Sequence, residues 1–175
     1  GCMAKDYGAR PAVGRSWYKA HGLGNDYLVF EEGDGWRADP EAVARLCHRH
    51  EGVGGDGLVV VLHGAAEPFA LRMFNPDGSE FERSGNGLRV LAAYLHYRGR
   101  VSEDAFEVEC GGERIRMQVR SRMSDGRYDV EVEMGRALLG PECVALDPAD
   151  LDEQGRLAHP DAGWVPLVPG SVGNP

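Results

Sequence analysis

The segment from Leu88 to Tyr97 constrains the fold more than any other stretch of the sequence. Eight of its ten residues are apolar, and Leu88, Leu91 and Leu95 recur at the i, i+3, i+7 spacing of a helix. A helix that is apolar on nearly every side belongs in the interior of a domain, because a surface helix keeps a polar face. The sequence therefore predicts a helix at the centre of the fold, ending at a glycine stop, Gly99.

The segments around this helix read as strands. Most of them alternate polar and apolar residues, which is typical of strands with one solvated face, and residues 58–62 form a continuous apolar run. A short helix should begin at Pro40, with Asp39 as its N-cap. The expected fold class is α+β, with a curled mixed or antiparallel sheet wrapped around one buried central helix. The predicted strands cover residues 17–20, 27–31, 58–63, 69–75, 106–110, 114–120 and 128–134.

Composition divides the chain into four parts. Residues 1–16 read as a tag remnant or leader and are left out of the predicted fold, and residues 17–138 form the predicted domain. Residues 139–163 are rich in Pro, Asp and Gly, and they read as a connector. Residues 164–175 begin with a strand-like run and are predicted to start a second domain, of which the rest is missing.

Charge and hydropathy exclude several classes of function. The net charge of −9 disfavours nucleic-acid binding, which needs a surplus of Lys and Arg against the phosphates. No apolar run has the length of a membrane span and no signal-peptide core is present, so we expect a cytoplasmic protein without membrane contact. The four cysteines are widely spaced, with no metal-ligand pattern, so we expect free thiols and no metal: Cys2, Cys47, Cys110 and Cys143.

Glycine marks the candidate sites. The chain has 25 glycines in 175 residues, about twice the usual ~7%, and they cluster beside Asn or Asp. One cluster, Ser84-Gly85-Asn86-Gly87, immediately precedes the buried helix. The unpaired N–H groups of a first helical turn, together with the helix dipole, favour an anion such as a carboxylate or phosphate there. Alternatively, Ser84 is simply the N-cap and the glycines allow a tight start to the helix.

Two further turns are candidates. The turn His21–Asp26 contains Gly-x-Gly, but no helix follows it, so it is not a dinucleotide fingerprint. Asn25 in this turn could bind a polar ligand or only satisfy the turn, and the same choice applies to Asn75, which ends a strand before Pro-Asp-Gly. Asp56, in the glycine-rich loop 52–57, is assigned a structural role.

Together, these motifs resemble the diaminopimelate epimerase family in order and spacing, over about residues 17–175. The terminal Gly173-Asn174-Pro175 resembles the start of the family's Gly-Asn-Pro-His motif. The other motifs that carry the resemblance are His-Gly-Leu-Gly-Asn-Asp-aromatic at 21–27, Arg-His-x-Gly-Val-Gly-x-Asp-Gly-Leu at 49–58, Phe-Asn-Pro-Asp-Gly-Ser-Glu at 74–80 and x-Gly-Asn-Gly-Leu-Arg at 84–89.

The resemblance implies a cofactor-independent amino-acid epimerase, most simply one that converts LL- to meso-diaminopimelate in lysine biosynthesis. Two equivalent domains would face each other across a cleft, and each would contribute one catalytic cysteine. One thiolate would remove the α-proton of the amino acid and the opposite thiol would return a proton. By resemblance, Asn25, Asn75 and Asn174 would bind the substrate, while Gly85 and Asn86 would offer N–H groups to its carboxylate.

The sequence departs from this family pattern in two ways. Ser84 occupies the position of the first catalytic cysteine, and a serine hydroxyl is a poor base unless a neighbour such as His21 activates it. Some members of the wider superfamily, which includes proline racemases and hydroxyproline epimerases, use serine at one of the two positions. The second domain, with the other cysteine, is absent, so this chain alone is expected to be inactive.

Other interpretations stay open. The chain could be an inactive relative that binds an amino acid, or a superfamily enzyme that acts on another amino acid with a Ser/Cys pair. An isolated half would expose an apolar cleft wall and could self-associate, so a homodimer also stays open.

Overall fold

The computed structural model describes residues 2–4, 17–33, 38–62, 64, 66–135, 138–139, 152–154, 156–159, 163–166 and 170–171. The chain divides into two compact units, Gly1–Glu133 and Met134–Pro175. The elements of the first unit are β1 (Cys2–Ala4), β2 (Trp17–Gly22), β3 (Asn25–Glu31), α1 (Pro40–Cys47), β4 (Gly57–Val61), β5 (Phe69–Phe74), β6 (Glu80–Phe81), α2 (Gly85–Tyr97), β7 (Phe106–Cys110), β8 (Glu113–Arg122) and β9 (Arg127–Val132).

The strands of the first unit form one mixed sheet. Their order is β4-β3-β2-β1-β9-β8-β7-β5-β6, and a further pairing of β4 with β5 closes the sheet into a ring. Two of the pairings, β3 with β4 and β5 with β7, are parallel. Helix α2 lies against β1, β2, β3, β4, β8 and β9, so the predicted curled sheet around a central helix is confirmed.

Helix α2 is buried as its composition predicts. Leu88, Leu91 and Leu95 have no exposed surface, because the alternating strands turn their apolar faces inward around the helix. The helix ends where expected, and the N–H of Arg98 donates to the carbonyl of Tyr94. Its N-terminus is therefore fixed in place by the packing of the whole helix.

Helix α1 covers the other face of the sheet. Asp39 is its N-cap, and Oδ1 of Asp39 accepts a hydrogen bond of 2.9 Å from the N–H of Ala42, as the sequence predicts. The buried side of α1 carries Val43 and Cys47. They pack with residues of β3, β4 and β5 in a second apolar cluster that includes Leu28, Phe30, Leu58, Val60 and Phe74.

Two segments have more regular structure than the sequence indicates. Strand β1 lies within residues 1–16 and pairs with both β2 and β9. In the second unit, β11 (Arg156–His159), within the predicted connector, pairs with β12 (Gly163–Pro166), and β10 (Leu138–Leu139) pairs with β13 (Gly170–Ser171). Short strands such as these depend on partners distant in sequence, which local patterns do not reveal. Among the described residues, no helix combines the length and apolarity needed to cross a bilayer.

Candidate active site

Ser84 caps the N-terminus of α2. Its backbone is extended, with φ −136° and ψ 125°, and its Oγ accepts a hydrogen bond of 3.2 Å from the N–H of Gly87. A second hydrogen bond, of 3.0 Å, reaches the same oxygen from the hydroxyl of Tyr27. The side chain is thus fixed by one donor from its own helix and one from strand β3.

The first turn of α2 is suited to an anion. Among the described residues, no oxygen accepts a hydrogen bond from the backbone N–H of Gly85 or Asn86, and the turn contains no acidic side chain. These N–H groups carry the positive end of the helix dipole. Ser84, Gly85 and Asn86 are all partly exposed, so the site remains accessible.

The β2–β3 hairpin meets this helix terminus. Nδ2 of Asn86 donates to Oδ1 of Asn25 across 3.2 Å, so two of the predicted substrate-binding residues are in contact. The hairpin turn between Gly22 and Asn25 contains Leu23, which has a positive φ of 53° and is 81% exposed. The structure therefore brings Asn25, Ser84, Gly85 and Asn86 together.

The remaining predicted residues are not joined to this group. Nδ2 of Asn75 donates to Oγ of Ser79 across 3.0 Å within its own turn, and the side chain of Asn75 is exposed. Asn174 lies outside the described residues. Substrate binding by these two residues therefore stays a prediction.

His21 does not activate Ser84. His21 pairs with Asp26 across the hairpin, and Ala20 pairs with Tyr27. Because side chains alternate between the faces of a strand, Tyr27 faces α2 and Ser84, whereas His21 lies on the opposite face of the sheet. The predicted activating role is therefore wrong, and Tyr27 is the nearest polar partner of Ser84 in the described structure.

An ionic cluster fixes the hairpin from the α1 side. Arg49 donates to both oxygens of the Asp26 carboxylate at 3.1 and 2.8 Å, and to Oδ1 of Asp56 at 2.8 Å. The N–H of Asp26 donates to Asp56, and the N–H of Asp56 donates to Asp26. Lys19 lies 3.0 Å from Asp26 and donates to the carbonyl of Gly54. The cluster confirms the structural role predicted for Asp56. It also holds Asp26, which follows Asn25 in the sequence.

We expect Asp26→Asn to lower the free energy of unfolding at pH 7 by about 1.5–3 kcal/mol, the usual range for hydrogen bonds to a charged group. Burial alone would raise the pKa of Asp26, but the hydrogen bonds from Arg49, Lys19 and Asp56 hold it far below its usual 3.8. The contribution is therefore full above the unfolded pKa and is lost as the pH falls through the folded pKa. Urea unfolding between pH 7 and 2 should show a flatter acid dependence for the variant than for the wild type.

Glu41→Gln is the matched control for this measurement. The Glu41 carboxylate pairs with Arg45 on the surface of α1, and the Glu41 side chain is 82% exposed. Loss of this pair should therefore change the free energy of unfolding and its acid dependence very little. Equal acid dependence of Asp26→Asn and the wild type would contradict the assigned role of the cluster.

Cys47 and Cys110 are protonated at neutral pH, because burial raises the pKa of both thiols. Cys47 and Cys110 are free and buried, which confirms free thiols at these two positions. Burial raises the pKa of each to about 11, and Sγ of Cys110 donates to the carbonyl of Glu82. Neither thiol is therefore ready to act as a base. Within the described parts of the chain, His, Cys, Asp and Glu side chains form no group of three or more arranged to hold a metal ion.

Sequence reasoning missed Tyr27 and Arg49. Strand alternation places Tyr27 on the face of the sheet that packs on α2, and this was the signal that could have found it. Arg49 stands in the second glycine motif, but no local pattern pairs it with Asp26, which is distant in the sequence.

The family model and the curated relatives agree on one family. The family model for diaminopimelate epimerase matches residues 17–139. Diaminopimelate epimerase 2 of Nostoc is 38% identical over 161 residues, covering 91% of this chain and 55% of that protein. The diaminopimelate epimerase of Desulforudis audaxviator is 45% identical over 124 residues, covering 69% and 44% respectively. The chain thus spans about half the length of the curated relatives it matches.

Solved structures show the same fold at lower identity. A Bacillus anthracis phenazine biosynthesis protein of the PhzF family matches with a TM-score of 0.55 and 21% identity, covering 88% of this chain and 49% of that chain. A hydroxyproline epimerase from Agrobacterium vitis matches with a TM-score of 0.55 and 15% identity, covering 88% and 48%. These two likenesses extend to the fold alone. From the family model and the curated relatives, we conclude that the chain belongs to the diaminopimelate epimerase family.

Proposed function

We propose that the chain supplies one half of the active site of a cofactor-independent amino-acid epimerase, with LL- and meso-diaminopimelate as its substrates. The observation that carries this proposal is the N-terminus of α2, where the N–H groups of Gly85 and Asn86 are unpaired beside the capping Ser84. A substrate α-carboxylate bound there would accept hydrogen bonds from both N–H groups. These donors would also stabilise the negative charge that develops when the α-proton leaves.

The other binding residues follow from the same arrangement. Asn25, held by Asn86, would contact the substrate beside its carboxylate, and Asn75 and Asn174 would bind it from further positions. Residues 17–138 would form the first domain and residues 139–163 the connector. Residues 164–175 would begin a second domain that carries the opposing acid–base group, a cysteine by family resemblance.

A second function is favoured by the surroundings of Ser84. Among the described residues, both hydrogen-bond partners of its Oγ are donors, and none is placed to accept its proton. A hydroxyl without a base is a weak nucleophile and a weak base. The chain could therefore bind an amino acid without inverting it. Action on another amino acid with a Ser/Cys pair would need a base from outside the described residues.

Exchange of the α-proton in deuterated water distinguishes these functions. If the proposal holds, the natural gene product should exchange the α-proton of LL-diaminopimelate, followed by loss of its NMR signal. An inactive binder would show ligand-dependent shifts without exchange, and an enzyme for another amino acid would exchange the α-proton of that amino acid. A gene product that neither binds nor exchanges LL-diaminopimelate or any other amino acid tested would contradict the proposal and both alternatives.

A further inference from the structure

We infer that Tyr27 is the positioning residue for the side chain at position 84, holding it at the N-terminus of α2 and stabilising negative charge there. The Tyr27 hydroxyl donates to Oγ of Ser84 across 3.0 Å, which connects strand β3 to the first turn of the central helix. The inference deepens the proposed function by adding a residue to the same site. The effect of Tyr27 on position 84 does not depend on the proposed reaction, but its use in catalysis rests on that function.

Two glycines make room for the Tyr27 ring. A Cβ atom on Gly57 would lie 2.5 Å from Cε1 of Tyr27, and one on Gly87 would lie 3.3 Å from the same atom. The first distance is shorter than any real Cβ contact, so only glycine at position 57 lets the ring lie where its hydroxyl reaches Ser84. Tyr27 is 7% exposed, so packing holds its hydroxyl in this place.

The hydroxyl has an electrostatic effect as well as a steric one. A donor hydrogen-bonded to an ionisable atom favours the anionic form of that atom. The N–H of Gly87 and the dipole of α2 act on position 84 in the same direction. Tyr27 is therefore the one side chain in the described structure whose hydrogen bond to Ser84 would favour an anion there.

A thiol placed at this position would report the effect directly. In Ser84→Cys the new thiol should react as a thiolate at a lower pH than an ordinary thiol, whose pKa is about 8.5. Adding Tyr27→Phe removes only the hydroxyl. The apparent pKa of the thiol should then rise by about one unit, which is a tenfold fall in the ratio of thiolate to thiol at a given pH.

The measurement is the rate of iodoacetamide alkylation between pH 5 and 10, followed by peptide mass spectrometry so that each cysteine is read separately. It uses the 175-residue chain and needs no substrate. Cys47 and Cys110 are internal references, because burial raises their pKa to about 11 and they should stay unmodified. Urea unfolding of each variant separates a change in reactivity from a loss of stability.

Tyr94→Phe in the Ser84→Cys background is the matched control. Tyr94 is also buried and belongs to α2 itself, but its hydroxyl donates to Glu31 at 2.8 Å rather than to Ser84. Its loss should leave the alkylation profile unchanged. The inference is overturned if Tyr27→Phe leaves the profile unchanged too, if Tyr94→Phe shifts it equally, or if the Ser84→Cys thiol reacts no faster than an ordinary thiol. A shifted profile without α-proton exchange would support the role of Tyr27 while the proposed reaction fails.

Discussion

Replacing Leu91 with alanine should lower the free energy of unfolding by about 2–5 kcal/mol, the largest single effect we expect. Leu91 has no exposed surface and lies on α2, inside the ring of strands. Truncation removes buried apolar area and leaves a cavity, because the strands that surround the helix pair with one another and cannot all move inward. Urea unfolding followed by circular dichroism measures the loss.

Leu23→Ala is the control for this prediction. The chemical change is the same, but Leu23 is 81% exposed, so the free energy of unfolding should change by no more than about 0.5 kcal/mol. Its positive φ does not complicate the comparison, since leucine and alanine both carry a Cβ atom. A Leu91→Ala variant as stable as Leu23→Ala would show that α2 is not the centre of the core.

Gly57→Ala should lower the free energy of unfolding by about 1–3 kcal/mol, the cost of overpacking, and should also disturb the site. The new Cβ atom would lie 2.5 Å from Cε1 of Tyr27 and 3.0 Å from the carbonyl oxygen of Phe74. The ring has to move, because the carbonyl belongs to a paired strand. The Tyr27 hydroxyl would then leave Ser84, and Ser84→Cys/Gly57→Ala should alkylate more slowly at neutral pH than Ser84→Cys alone.

Gly33→Ala is the matched substitution. No atom of the described residues lies within 4 Å of the Cβ position at Gly33, and its φ is not in the left-handed region. Both the free energy of unfolding and the alkylation rate should therefore stay close to those of the parent chain. Equal effects of the two alanines would mean that the close approach at Gly57 does not determine where Tyr27 lies.

Much of the fold could be predicted from local sequence patterns. Helix α2 is apolar on nearly every side, and a helix of this composition is stable only when it is buried, here inside a curled sheet. Alternation predicted β7 (Phe106–Cys110) with the bounds it has in the structure. Closure of the ring could not be predicted in this way, because it depends on which strands become neighbours, and period-2 patterns do not choose partners.

Local sequence patterns also predicted part of the candidate site, but not the contacts that depend on the fold. The position of Ser84 before α2 predicted its capping role, and the hydrogen bond between Asn25 and Asn86 joins residues selected from different motifs. His21 is the candidate activating residue from the nearest motif, but strand alternation puts it on the other face of the sheet. Arg49 stands in the motif at 49–58, but the motif does not show that Asp26 is folded against it.

Closure of the ring also determines when the first unit can finish folding during its synthesis. Strand β1 pairs with β9, so the backbone of Cys2 pairs with that of Tyr128. Contacts between residues this far apart in the sequence form slowly. On the ribosome, α2 is synthesised before β7, β8 and β9. The nascent chain therefore presents a helix that is apolar on nearly all sides before three of its strands exist. During that interval chaperones have a binding site that the finished protein conceals.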